Sequence, residues 1–351
     1  ISNPLTPSLL RVAHVVRQAL IKTGSNVELT ASDVQDATSV IAKITLDNRR
    51  VNHPQGYHLS ILPEGINLVG HDDAGLYYGA MTLKQITRQF GMHEAIPCMA
   101  IEDWPDFPDR GVMLDISRDR VPTMESLYSL IDMLSELKIN QFQLYTEHTY
   151  AYRSHDDVWG LASPVTGEQV LDLDTYCKDR FVELVPNQNS FGHMERWLTT
   201  PGYRDLAEDP ESDTPRTINP MDPRSVSFFR DMYEELLPHF GSTKFNIGCD
   251  EVPLGDGSSK DAVAKNGVGR VYLDFLLKIH GLVKNHGRTM QFWGDIVIQH
   301  PELIPELPHD VVALEWGYEG DHPFRANCEK FAHAGIPFYV CPGTSSWNSI
   351  S

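Results

Sequence analysis

The chain has 351 residues, with 29 Lys and Arg against 48 Asp and Glu, for a formal net charge of −19. That length suits about two domains with a substantial core, and the acid excess argues against nucleic acid or an anionic membrane as partner, because like charges repel. No apolar run nears the roughly 20 residues that span a bilayer, and five scattered cysteines without a CxxC pair make neither a disulfide framework nor a zinc site. The first residue, Ile1, reads as the start of a processed product or fragment, which leaves any export signal out of sight.

Residues 8–21 carry apolar positions at helical spacing, 38–45 and 57–62 read as strands, and a Pro63–Gly65 turn leads into a third strand at 66–70. A helix is expected from about Ala74 to Phe90. The segment EDWPDFPDR (102–110) has two prolines and reads as a linker, so a small α/β domain is expected over 1–104 and a second domain over 105–351. From there short apolar runs alternate with helical segments: 111–117, 141–147, 181–187, 244–251, 290–296, 311–316 and 337–343. Between the first two, Leu127, Leu130, Ile131, Leu134 and Leu137 form one helical face, and further helices fall near 223–239, 260–286 and 323–334. Nearly continuous apolar strands separated by helices predict a parallel sheet covered on both faces. Seven of them suit a (β/α)8 TIM-type barrel better than an open seven-stranded sheet, with the eighth strand expected beyond Ser351.

In such a barrel the chemistry sits at the carboxyl ends of the strands. Those ends supply Asp115 and Arg118, then Tyr145 and Glu147, then Asn187, Asn189 and His193. They continue with Asp250 and Glu251, Trp293 and Asp295, Glu315, Trp316 and Tyr318, and Trp347. Carboxylates beside tryptophans, above interiors expected to be aliphatic, point to carbohydrate, because indole faces stack on the C–H faces of sugar rings while carboxylates bind hydroxyls and move protons. Asp250-Glu251 is the sharpest feature. Adjacent strand residues point to opposite faces, so both serve one site only where the strand ends or twists, as Gly248 permits. Two neighbouring carboxylates also resist joint ionisation, which leaves a proton donor near neutral pH.

The sequence resembles glycoside hydrolase family 20, the β-N-acetylhexosaminidases. The likeness is carried by GYHLSILPEGINLVGHDDAGLYYGAMTLKQI (56–86), FPDRGVMLDISR (107–118) and IGCDEV (247–252), with Cys249 where a glycine is common. It implies an α/β companion domain followed by a catalytic barrel. It also implies exo-acting, retaining cleavage of terminal β-linked GlcNAc or GalNAc, in which the substrate's own 2-acetamido oxygen attacks C1. On that resemblance Glu251 is the general acid/base and Asp250 orients the acetamido group. Glu147 and His193 support the acid, and Arg110 grips hydroxyls of the terminal sugar. Trp293 and Trp316 enclose the acetamido methyl, while Asn189, Asp295, Tyr318 and Trp347 complete the substrate contacts. No cofactor or metal is implied. The expected partner is an amino-sugar glycan, with a homo-oligomer left open, and a periplasmic or secreted location is expected over a cytoplasmic one for a bacterial chain.

Three departures from the family pattern stand out. Asn189 occupies a position that is often aspartate, the seventh strand lacks a tyrosine followed by an aspartate, and no eighth strand supplies its tryptophan and glutamate. Tyr318 or Tyr145 is the candidate replacement donor. The alternatives are a β-N-acetylgalactosaminidase of a neighbouring family, a non-catalytic sugar-binding relative, and a metal-dependent hydrolase whose only local ligand cluster would be His155-Asp156-Asp157.

Overall fold

The computed structural model describes residues 6–30, 41–90, 94–118 and 120–343. They divide between two units, one of Ile1–Val112 with Leu127–Gln141 and Thr175–Val182, the other of Met113–Ser126 with Phe142–Asp174 and Glu183–Ser351.

In the first unit the opening helix spans Pro7–Ile21; Thr6 caps it by accepting from Leu9 N at 3.1 Å, and Pro7 supplies a first-turn residue that needs no partner for an N–H. Its buried stripe, Leu9, Val12, Ala13, Val16, Ala19 and Leu20, joins one core with the helix Asp73–Phe90 and a four-stranded sheet. The strands are β1 (Ala42–Leu46), β2 (Tyr57–Leu62), β3 (Gly65–Gly70) and β4 (Met99–Asp103), in spatial order β1-β3-β2-β4. β1 is parallel to β3, and β2 is antiparallel to both its neighbours. Gly79 lets the second helix lie close on the sheet, because a Cβ there would stand 2.4 Å from the Leu68 side chain. Residues 38–40 of the strand expected at 38–45 lie outside the described residues. β4 takes Glu102 and Asp103 from the segment expected as a linker, and the two prolines that suggested it, Pro105 and Pro108, follow this edge strand.

All seven later strands appear: β5 (Gly111–Asp115), β6 (Gln141–Tyr145), β7 (Glu183–Val185), β8 (Lys244–Asn246), β9 (Thr289–Trp293), β10 (Val311–Gly317) and β11 (Phe338–Pro342). They neighbour one another in chain order, with a parallel bridge Asn187–Asn246 joining the run β5-β6-β7 to β8-β9-β10-β11. The pairs β8–β9, β9–β10 and β10–β11 are parallel, as a (β/α)8 barrel requires. The interior is not purely aliphatic, which corrects the sequence reading. Gln143 of β6 donates to Gln291 Oε1 of β9 at 2.9 Å and accepts from Asn246 Nδ2 of β8 at 3.0 Å. β6 is a sheet neighbour of neither β8 nor β9, so the bonds cross the barrel and join three buried amides in its core.

Helices also depart from expectation in readable ways. The segment 260–286 is two helices, Lys260–Asn266 and Val268–Asn285, broken at Gly267 with φ +85°. The helix Met124–Glu136 buries Leu127, Ile131 and Leu134, but Leu137 lies past its end and is 61 % exposed.

Candidate active site

Most of the strands stop two to five residues short of the apolar runs that announced them, and the residues left over bend across the rim. The bend after β8 decides the site. Gly248, Cys249 and Glu251 all have left-handed backbone, with φ of +67°, +68° and +48°. That conformation is easy for glycine and disfavoured for residues with a Cβ, so contacts must impose it. Asn246 Oδ1 accepts from Gly248 N at 2.9 Å, Gly248 O accepts from Trp293 N at 2.9 Å, and Tyr272 Oη donates to Cys249 O at 2.8 Å. Asp295 Oδ2 accepts from Glu251 N at 3.0 Å. A Cβ on Gly248 would stand 2.0 Å from Asn189 Oδ1, and one on Gly192 2.5 Å from Asp250 O, so two glycines let the loop after β7 and this turn touch. Buried Glu208 then gathers the chain beyond the turn: its Oε1 accepts from Gly255 N (3.3 Å), Gly257 N (3.2 Å), Ser259 N (3.1 Å) and Ser259 Oγ (2.5 Å).

The turn brings Asp250 and Glu251 to one histidine. His193 Nε2 lies 3.3 Å from Asp250 Oδ2 and 3.4 Å from Glu251 Oε2, and Nδ1 lies 3.4 Å from Glu147 Oε1. Burial pulls the His193 pKa down, but Asp250, Glu147 and Glu251 together outweigh it and raise the value above 6.5. Asp250 is buried, whereas the Glu251 side chain is 50 % exposed. Glu147 is fully engaged, with Arg118 Nη1 donating at 2.6 Å and Tyr145 Oη at 3.0 Å to the same oxygen. Burial raises its pKa, and the Arg118 and His193 charges pull it partly back. Ser117 Oγ, itself beside Thr149 Oγ1, accepts from Glu147 N at 2.8 Å, and Trp197 Nε1 and Gln188 Nε2 donate to Glu147 O at 2.8 and 2.9 Å. Glu147 is thereby held by two donors at its carboxylate and by three side chains at its backbone.

Asp295 is shifted to near neutrality. Burial first, and the Asp250 charge second, raise it from 3.8 to about 7. Trp316 stands edge-on to Tyr318 with ring centroids 5.6 Å apart, and Tyr318 is 41 % exposed with its pKa raised to about 12 by burial and by the Asp250, Glu251 and Asp115 charges. Asp115 Oδ2, Asp250 Oδ1, Asp295 Oδ1 and Trp293 Nε1 are buried without a protein hydrogen bond, a donor and acceptor set suited to a polyhydroxylated ligand.

Asp250, Glu251, Glu147, His193, Trp293, Trp316 and Tyr318 therefore gather near one rim, and three expectations are corrected. Arg110 is bound elsewhere: its guanidinium donates to Lys138 O (2.9 Å), Gln55 Oε1 (3.1 Å) and Phe107 O (2.8 Å), all within the first unit. The arginine among the carboxylates is Arg118, with Nη1 also 3.9 Å from Asp115 Oδ2. Topology was the signal for it, since Arg110 precedes β5 and Arg118 follows it. Asn189 is 0 % exposed and bonds Thr146 O through both its backbone N (2.9 Å) and its Nδ2 (3.3 Å), so it braces two strand ends out of a ligand's reach. Asp295 gives Oδ2 to the backbone N–H of Glu251 and keeps Oδ1 without a protein partner, and Trp347 lies outside the described residues. His155, of the suggested metal cluster, instead bonds Tyr203 Oη at 2.6 Å within an aromatic group that includes Trp197 and Phe228.

The model of the glycosyl hydrolase family 20 catalytic domain matches residues 107–347, and that of the family's domain 2 matches residues 4–104. The beta-hexosaminidase of Akkermansia muciniphila is 25 % identical over 283 residues, covering 70 % of this chain and 57 % of that protein. The lacto-N-biosidase of Bifidobacterium bifidum is 25 % identical over 311 residues, covering 82 % of this chain and 26 % of that one. Among solved structures, the beta-N-acetylhexosaminidase of Bacteroides fragilis has a TM-score of 0.77 at 21 % identity, over 96 % of this chain and 70 % of the other. The Flavobacterium johnsoniae chitobiase has a TM-score of 0.75 at 19 % identity, over 98 % and 55 %. The matches span 57, 36 and 26 % of the length of the first three curated relatives.

Proposed function

The chain belongs to glycosyl hydrolase family 20, and from that premise we propose that it is an exo-acting, retaining β-N-acetylhexosaminidase that removes terminal β-linked GlcNAc or GalNAc with help from the substrate's own acetamido group. The observation that carries this reading is the turn at 248–251, which gives two adjacent carboxylates a common histidine. Glu251, half-exposed at the mouth, is the proton donor. It protonates the leaving glycosidic oxygen as the bond from that oxygen to C1 breaks, while the acetamido carbonyl oxygen attacks C1 from the opposite face and closes an oxazolinium ring. Buried Asp250 accepts the acetamido N–H and offsets the positive charge growing on that ring, the kind of preorganised stabilisation that is effective away from water. Water then opens the ring at C1, giving its proton to Glu251, and the two inversions return the original configuration.

His193 links the pair to Glu147, whose charge and position keep the imidazole oriented. Arg118 takes the role expected of Arg110: its fork of donors is available for sugar hydroxyls while one arm stays on Glu147. Trp293 and Trp316 offer apolar faces for the acetamido methyl and the ring, and Tyr318, the exposed phenol beside them, is the hydroxyl that replaces the missing seventh-strand tyrosine. The domain organisation of a companion domain over 1–104 and a catalytic domain over 105–351 is part of the same proposal.

The test is release of aglycone from aryl N-acetyl-β-glucosaminide and N-acetyl-β-galactosaminide by the purified chain. Glu251→Gln is expected to lower turnover on a poor leaving group by about 10²–10⁴, the range of a lost general acid, with partial recovery on 2,4-dinitrophenyl substrate. A covalent sugar trapped on Asp250, Asp295 or Glu315 by a 2-fluoro substrate would overturn the substrate-assisted route.

A further inference from the structure

Glu251 is half-exposed and, beyond the 3.4 Å approach to His193, its carboxyl is steered by its own backbone, which sits in the left-handed region at φ +48°. The backbone N–H of Glu251 has one acceptor, the carboxylate oxygen Oδ2 of Asp295 at 3.0 Å. Asp295 is itself immobilised. It opens the short helix Asp295–Gln299 directly after β9, its carbonyl accepts from Gln299 Nε2 at 3.2 Å, and its other carboxylate oxygen is buried. Two residues earlier, Trp293 N donates to Gly248 O at the other end of the same turn, so the end of β9 clamps the acid turn at both its first and last residues.

We infer that Asp295 is a positioning residue: by accepting the Glu251 N–H it holds the acid's backbone in the left-handed conformation from which the carboxyl addresses the leaving oxygen. Without that acceptor a glutamate has every reason to relax, since a residue with a Cβ is disfavoured there. A relaxed Glu251 swings its carboxyl away while Asp250, one residue earlier and buried, stays in place. The loss then falls on protonation of the leaving group rather than on binding. The inference rests on the role of Glu251 as proton donor.

Asp295→Ala removes the acceptor, whereas Asp295→Asn keeps an oxygen for the Glu251 N–H and removes the charge. In the full chain, Asp295→Ala is expected to lower kcat on phenyl N-acetyl-β-glucosaminide by about 10²-fold, the scale of a catalytic group displaced by an ångström. Its KM should stay within about twofold, and the 2,4-dinitrophenyl substrate, which needs little protonation, should lose far less. Asp295→Asn should recover most of the phenyl activity. Equal losses on both substrates, or an Asn variant no better than Ala, would overturn the inference, because a merely structural residue lowers the active fraction without regard to leaving group. A crystal structure of Asp295→Ala decides independently of turnover: Glu251 should leave the positive-φ region, and an unchanged Glu251 refutes the role. Wild-type chain that cleaves neither substrate would sink the proposed function, leaving the crystallographic result to judge Asp295.

Discussion

Replacing Asp295 by Asn should make the protein more stable, and more so as the pH rises. Burial and the neighbouring Asp250 charge move this carboxyl from 3.8 to about 7, with Trp316 and the Glu251 N–H only partly opposing the shift. Between those two values the unfolded chain has lost the proton that the folded chain keeps. Stability therefore falls as pH climbs through that window, and the whole cost stands above pH 7. At about 1.4 kcal/mol per unit, a shift of roughly three units costs roughly 4 kcal/mol above pH 7 and roughly 2 kcal/mol near pH 5. Relaxation and water at the rim reduce both figures, leaving roughly 2 kcal/mol of growth in the difference between variant and wild type from pH 5 to pH 8. Urea unfolding followed by tryptophan fluorescence measures it, since among the described residues every tryptophan except Trp104 belongs to the unit that carries Asp295. Comparing variant with wild type cancels His193 and the other groups that titrate in both, apart from Asp250, whose charge is one of the causes. A stability difference that is flat between pH 5 and pH 8, or that favours the wild type at pH 8, refutes the reasoning.

Two further predictions concern the turn's surroundings. Glu208→Ala strands the backbone N–H groups of Gly257 and Ser259 and the Ser259 hydroxyl, while Gly255 N keeps Ser259 Oγ at 2.9 Å; it should cost roughly 2–4 kcal/mol, allowing for water reaching part of the loop, and hydrogen exchange at 257–259 should accelerate, whereas unchanged protection would show that the loop holds itself. Gly248→Ala forces a Cβ to within 2.0 Å of Asn189 Oδ1 at a residue with φ +67°, so beyond the roughly 1–2 kcal/mol of left-handed strain it should displace the acid pair and lower activity more than stability; a variant with wild-type turnover would show that the two loops can part without consequence.

Much of the fold was legible because it follows from periodicity. All seven barrel strands and the helix pair of the first unit sit where apolar spacing put them, since a parallel strand buried on both faces must be apolar nearly throughout. What escaped were features decided by tertiary partners. The edge strand Met99–Asp103 is too polar to stand out, and it is a strand because β2 offers it a ladder. Gln143, Asn246 and Gln291 stand in strands whose interiors were expected to be aliphatic; they are buried and bond one another across the barrel, pairings 103 and 148 residues apart in sequence. The two arginines flanking β5 show the opposite case, in which topology was readable and was outweighed by family likeness. A parallel barrel presents its chemistry after each strand, which favours Arg118 over Arg110 before any coordinate is known.

The acid pair marks the boundary between what the chain announces and what it hides. Adjacent residues in a strand diverge, so Asp250 and Glu251 can share His193 only if the backbone reverses its hand between β8 and the loop, and Gly248 advertises that reversal. Cys249 and Glu251 do not, because nothing local favours a left-handed cysteine or glutamate. Their conformations are imposed from outside, by Tyr272 on the Cys249 carbonyl 23 residues away and by Asp295 on the Glu251 N–H 44 residues away. The same two contacts explain why Cys249, at a position where glycine is common, is compatible with the turn. Its side chain is wholly buried, burial raises the thiol's pKa well above 9, and its backbone is held by Tyr272, so the freedom of a glycine is replaced by a constraint. A turn held this way gains precision for its carboxylates and becomes dependent on the strand beside it. Substitutions at the end of β9 should therefore be felt in the chemistry of Glu251 before they are felt in the binding of substrate.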